Sequence, residues 1–174
     1  MKLSTRKLAV SSVMAALIFV LTFSIRIPVP GLAGGAYLNL GDSLIYCTAF
    51  MLGGVPAMLA AGIGSMLADI AGGAFIYAPA TLVIKGLMGL ACGAMLVKPS
   101  FGRFVFASVA GGAIMAAGYG VYEIFVFGTV YALTSLPFNL IQWGGGVAVA
   151  LLLYLPFTKL RRSFKFREEE NRWN

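Results

Sequence analysis

Histidine is absent from this chain, cysteine occurs twice, and only six side chains are acidic. Without histidine the commonest metal ligand and general base is missing. Cys47 and Cys92 sit inside apolar runs and read as small buried hydrophobes, not as a disulfide or a metal site. Charged residues make up 11% of the 174 positions, against roughly 25% in soluble domains. No carboxylate cluster of the D-D-x-x-D kind and no nucleophile motif is present. Neither a metal nor any other cofactor is expected.

Apolar side chains fill what remains, at 60% of the chain, where soluble domains carry roughly 45–50%. A soluble core cannot hide that much apolar surface, so lipid is the solvent. A spanning helix needs about 20 apolar residues, and with turns the length accommodates about six. No room is left for a nucleotide-binding fold. The expected architecture is an all-α integral membrane protein, a six-transmembrane-helix bundle forming a single domain over residues 1–174. Helices are predicted over 7–25, 37–52, 56–71, 79–97 and 104–127. A sixth is predicted to be capped by Thr134 or Ser135, to carry Pro137 in its first turn and to run to 157. The first run has charged flanks and no small-residue cleavage signal, so it reads as a retained helix. Small residues spaced at four, as in Gly64/Ala68/Gly72, Gly89/Gly93 and Gly112/Ala116/Gly120, suit close helix packing.

The formal charge of +7 is distributed by topology. Lys2, Arg6 and Lys7 precede the first helix, Lys98 and Arg103 flank a mid-chain turn, and Lys159, Arg161, Arg162, Lys165 and Arg167 follow the last helix. This is a positive-inside pattern that places both termini in the cytoplasm. It implies attraction to anionic lipid heads, not a nucleic-acid partner. Arg26 is the one basic residue in an outer loop.

With that orientation, Asn39, Asp42, Asp69, Lys85, Glu123, Asn139 and Gln142 all come to the outer third of the bundle. Tyr77, Tyr119 and Trp143 lie beside them. Intramembrane polar groups are costly and face a cavity or each other, so a ring of them at one depth describes an outward-facing pocket for a small polar solute. Local roles compete with that reading. Asn39-Leu40-Gly41-Asp42 has the form of a capping box. Asp69 and Lys85 suit an ion pair across the loop between the third and fourth helices, and Tyr77 and Trp143 suit interfacial aromatics. Glu123 stands among Val121, Tyr122, Ile124 and Phe125 with no capping position nearby. It needs a basic partner, a hydrogen-bond donor or a ligand. Asn139 and Gln142 offer amides that both donate and accept.

Three passages carry a resemblance over the whole chain. They are Leu38-Asn39-Leu40-Gly41-Asp42, then Leu52-Gly53-Gly54-Val55-Pro56 followed by the run from Gly62 to Asp69, and the run from Tyr77 through Lys85 to Gly93. With six helices, they make the chain resemble the substrate-specificity (S) components of energy-coupling-factor (ECF) vitamin transporters, nearest the hydroxymethylpyrimidine and pyridoxine group. The resemblance implies a vitamin pocket near the outer face, closed by the loop after the first helix (26–36 here) and by helices four to six. It implies a bacterial cell membrane location and docking on a membrane T component with two cytosolic ABC-type ATPases, which hydrolyse the ATP. The family docks through an Ala-x-x-x-Ala pattern on the first helix, where this chain has Ser11/Ala15 and Ser12/Ala16. The same polar set also suits riboflavin, thiamine or a queuosine precursor. Two other classes compete: a membrane enzyme acting on a lipid or prenyl substrate through Asp42, Asp69 and Glu123, and a scaffold whose polar ring only joins helices.

Overall fold

The computed structural model describes residues 5–29, 31–32 and 36–170. Lys2, and Pro30 and residues 33–35 of the expected pocket-closing loop, lie outside the described residues, as do residues 171–174 of the charged tail. Six helices form the bundle: α1 (Thr5–Ser24), α2 (Gly41–Leu52), α3 (Gly54–Ala71), α4 (Ala78–Met95), α5 (Phe101–Phe127) and α6 (Thr129–Glu170). Between α1 and α2 lies an antiparallel ribbon of β1 (Ile27–Pro28) and β2 (Tyr37–Leu38), with Ile27 opposite Leu38 and Pro28 opposite Tyr37. Five of the helices are long and apolar enough to cross a membrane, and the chain is a multi-pass membrane protein.

The exception is α2. It begins at Gly41, four residues later than predicted, because Tyr37 and Leu38 are extended in the ribbon. Its 12 residues rise about 18 Å at 1.5 Å each, short of a hydrocarbon layer of roughly 30 Å. Nine of those residues are buried, so α2 is a central strut enclosed by its neighbours rather than a lipid-facing span.

The last helix also departs from expectation. Gly128, at φ 92°, turns the chain by itself, and α6 starts immediately after it at Thr129. The left-handed region is open to glycine without steric cost, so no connecting loop is needed. Thr134 and Ser135 therefore cap nothing. They lie inside the helix, where the Thr134 hydroxyl donates to the Val130 carbonyl. At the other end α6 runs on through Glu170, so the charged stretch after 157 continues the helix. Arg6 and Lys7, expected ahead of the first helix, are in its first turn.

The core is built where α1, α2, α4 and α5 meet, around Ile18, Ile45, Tyr46, Met88 and Met115. Phe50, Phe104 and Tyr154 pack edge-on or tilted with centroids 5.1–5.4 Å apart, where the end of α2 meets the start of α5 and the later part of α6. Both cysteines are buried and unpaired, and Cys92 Sγ donates to the Ala107 carbonyl at 3.1 Å. The antiparallel α3–α4 pair is the closest in the bundle. A Cβ at Gly89 would sit 2.7 Å from the Ala57 carbonyl oxygen, and one at Gly93 2.3 Å from the Gly54 nitrogen. The Gly89/Gly93 spacing is thus a packing device, while Gly120 at the end of another such run meets nothing within 4 Å.

Replacing Gly93 or Gly89 by leucine should cost about 1–3 kcal/mol through overpacking, read as a lower unfolding temperature in detergent. Gly102→Ala, where nothing lies within 4 Å, should leave that temperature unchanged or raise it.

Candidate functional site

Apolar surroundings leave a buried charge two options, neutralisation or a partner. Asp42, wholly buried in the first turn of α2, takes the second. Lys85 Nζ of α4 bonds its Oδ1, and Gln142 Nε2 of α6 donates to its Oδ2 at 3.0 Å. Gln142 Oε1 in turn accepts from the Asn39 backbone nitrogen at 3.1 Å and from Asn39 Nδ2 at 3.3 Å. Asn39 Oδ1 accepts from the Gly41 nitrogen at 2.9 Å. One carboxylate therefore ties together α2, α4, α6 and the end of the ribbon.

Two local readings of the sequence are corrected by this arrangement. The capping box is only half made: Asn39 Oδ1 accepts from the Gly41 nitrogen at the start of α2, but Asp42 does not return to the Asn39 nitrogen and is turned into the bundle by Lys85. The ion pair of Lys85 is with Asp42 and not with Asp69. Asp69, in the last turn of α3, accepts from the Tyr37 hydroxyl on β2. Arg26 lies over the Tyr37 ring at 3.8 Å and against Gly72, whose missing side chain leaves the guanidinium its place. Burial and the Asp69 carboxylate push the Tyr37 phenol far above its usual range, so it stays a donor.

Glu123 of α5 is buried and has no basic partner among the described residues. Tyr77 donates to its Oε1 at 3.2 Å and Ser135 to its Oε2. Tyr77 also shares a hydrogen bond with Tyr131 at 3.0 Å, and Thr81 with Tyr119 at 2.8 Å. The ring of Tyr77 is edge-on to Tyr119, with centroids 6.2 Å apart. Buried to 6% exposure, Tyr77 is not an interfacial aromatic.

These groups surround one cavity of about 50 Å³. Asn39, Asp69, Tyr77, Lys85, Tyr119, Glu123, Asn139 and Gln142, all expected at the site, line it. Two expected residues do not. Asp42 lies behind the wall, holding Lys85 and Gln142. Trp143 faces the other way, its indole filling the space over Gly112 of α5. Residues adjacent on a helix point about 100° apart, which is why Gln142 and Trp143 cannot share the cavity.

Thr22, Tyr37, Ser65 and Thr81 line the cavity and were missed. Hydroxyls inside apolar helices commonly bond their own backbone, so no sequence signal separated these from any other serine or threonine. Tyr37 was assigned to a helix and so lost its place above the cavity. Among the described residues, three buried polar atoms on the wall lack a hydrogen-bond partner: Thr22 Oγ1, Asp69 Oδ2 and Asn139 Nδ2. Unsatisfied buried polar atoms are few in folded proteins, and here they converge.

The helix-1 residues singled out for docking divide. Ser11 is buried and donates to the Pro56 carbonyl of α3 at 2.8 Å, and the Ala15 carbonyl meets Gly64 of α3. Ser12 and Ala16 are exposed, and all four residues line one groove of about 660 Å³ between α1 and α3.

Residues 2–159 match the family of ECF-type riboflavin transporter S components. The chain belongs to this family. As an S component it is a membrane transport protein of the vitamin-uptake kind, and its all-helical bundle is the family's architecture. Two relatives align over most of their own length. A protein of Pyrococcus woesei, described as an uncharacterized protein in the gap 3' region, is 34% identical over 131 residues, covering 75% of this chain and 86% of its own. The thiamine precursor transporter HmpT of Lactococcus lactis subsp. cremoris (strain MG1363) is 29% identical over 148 residues, covering 85% of each.

A double-mutant cycle on thermal stability should give Asp42 and Lys85 a coupling on the order of 1–3 kcal/mol, and Asp69 and Lys85 less than about 0.5. Lys85→Ala alone should cost about 3–5 kcal/mol, because Asp42 is then buried without a counter-charge.

Proposed function

We propose that this S component captures a small, single-ring nitrogen heteroaromatic of the hydroxymethylpyrimidine or pyridoxine type in the cavity between α1 and α3–α6. One observation carries the reading. Among the described residues the wall presents two carboxyl groups that form no ion pair, Asp69 and Glu123, together with polar atoms of Thr22, Asp69 and Asn139 that make no hydrogen bond. Such a wall favours a solute rich in N–H and O–H donors, with one ring acceptor for the Asn139 amide. Tyr77 and Tyr119 supply faces for a flat ring. The likeness to a thiamine precursor transporter supports the same choice.

Size supports it further. A cavity of about 50 Å³ is small for a ring. Entry of any ring requires the wall, to which Tyr37 of the β1–β2 ribbon belongs, to expand. A single ring asks for less of that expansion than a three-ring flavin. Riboflavin is the second reading, favoured by the family whose profile the chain matches.

In this scheme both termini are cytoplasmic, residues 1–174 form one membrane domain, and the protein sits in the plasma membrane. It docks on a T component that works with two ABC-type ATPases. ATP chemistry belongs to those partners. The apolar groove between α1 and α3 forms the docking face, with Ser12 and Ala16 its exposed small residues, while Ser11 and Ala15 in the same groove also pack on α3.

The test is binding to the purified protein, by native mass spectrometry and thermal shift across hydroxymethylpyrimidine, pyridoxine, thiamine and riboflavin. A bound single-ring compound is expected, with Glu123→Gln and Asn139→Ala each weakening it roughly 10-fold or more, as loss of a charge-assisted or buried hydrogen bond does. Riboflavin as the sole ligand would replace the substrate assignment. No binding to any of them, with turnover of a lipid instead, would return weight to an enzyme.

A further inference from the structure

The end of the bundle that carries both chain termini holds a second built site. Lys98 in the α4–α5 turn, Arg103 in the first turn of α5, and Arg161 and Arg162 late in α6 line one groove of about 790 Å³. No acidic side chain is among its lining residues. Its floor is aromatic, made by Phe50 and Tyr154, and Arg161 lies over the Phe50 ring at 5.1 Å. Arg103 spends one donor on the Lys98 carbonyl at 2.9 Å, and a guanidinium has five. Ser100 caps α5 by accepting from the Arg103 nitrogen, so the positive end of a 27-residue helix opens at the same place.

A positive-inside bias explains basic residues at this end of the chain. It does not explain four of them, from three separate elements, converging on one concavity. Like charges gathered this way repel, and a bound anion offsets the repulsion. The rim distinguishes a lipid from a soluble anion. Val97 is 78% exposed on the groove and Phe101, 55% exposed, packs edge-on against Tyr154. Leu152 and Leu155 continue an exposed apolar strip along α6. A phosphate set among the cations would have acyl chains leaving over these residues.

We propose that this groove binds the phosphodiester headgroup of an anionic phospholipid. Guanidinium and ammonium donors take the phosphate oxygens, and each basic residue near a membrane surface adds to retention of anionic lipid. The site lies at the opposite end from the solute cavity and is independent of which solute that cavity takes.

The experiment is native mass spectrometry of the detergent-purified full chain, titrated with phosphatidylglycerol, with phosphatidylcholine of the same acyl chains, and with inorganic phosphate. Wild type should retain phosphatidylglycerol over phosphatidylcholine. The triple variant Lys98→Gln, Arg103→Gln, Arg162→Gln should lose at least roughly 10-fold of that retention, with an unchanged unfolding temperature in lipid-free detergent. Lys159→Gln, an exposed cation outside the groove, should keep it. Equal retention of the two lipids, full retention by the triple variant, or equal loss in Lys159→Gln would each overturn the proposal. Displacement of phosphatidylglycerol by millimolar phosphate would overturn the lipid assignment in favour of a free anion.

Discussion

The buried pair of Asp42 and Lys85 is the constraint around which the cavity is organised. Neither charge is tolerable alone in an apolar bundle, and each comes from a different helix. Satisfying them sets α2 against α4. The second oxygen of Asp42 then reaches Gln142, and Gln142 reaches Asn39, so α6 and the ribbon are set by the same carboxylate. Once this chain of bonds is closed, the faces of α4 and α6 that look into the cavity are decided. Lys85 is placed at the wall with its charge already compensated.

That compensation shapes the cavity's chemistry. With Lys85 committed to Asp42, the remaining carboxylates, Asp69 and Glu123, are held by hydroxyls from Tyr37, Tyr77 and Ser135. Hydroxyl donors satisfy these carboxyl oxygens without supplying a counter-charge, which leaves the wall rich in hydrogen-bond acceptors. A direct Lys85–Asp69 pair would have produced a more nearly neutral wall and an unpaired Asp42 in the core. The choice between these pairings is therefore a choice of what the site attracts.

Glycine serves the same end by setting distances between helices. The α3–α4 approach at Gly89 and Gly93 and the place for Trp143 over Gly112 are both defined by side chains that are not there. Close approach brings Asp69 at the end of α3 near Thr81 and Lys85 of α4, and the space over Gly112 lets Trp143 face away from the cavity. On α1 the small residues differ in exposure, Ser11 and Ala15 packing on α3 while Ser12 and Ala16 stay exposed in the same groove.

Much was legible in the sequence. Six apolar runs, a basic bias at alternate turns and a set of polar residues at one depth follow from one-dimensional patterns, because lipid penalises every misplaced charge independently of its neighbours. Eight of the residues that line the cavity were readable for that reason: Asn39, Asp69, Tyr77, Lys85, Tyr119, Glu123, Asn139 and Gln142. What only the tertiary structure decided was pairing and direction. Lys85 could not be assigned between Asp42 and Asp69 while the positions of α2 and α3 about α4 were unknown. Tyr37 joined the cavity only through a two-residue ribbon too short to leave a periodic signal. Thr22, Ser65 and Thr81 look in the sequence like any hydroxyl in a membrane helix. Depth is a property of a residue's place along its own helix, whereas partnership depends on how helices rotate against each other, and that rotation is set by contacts far apart in the chain.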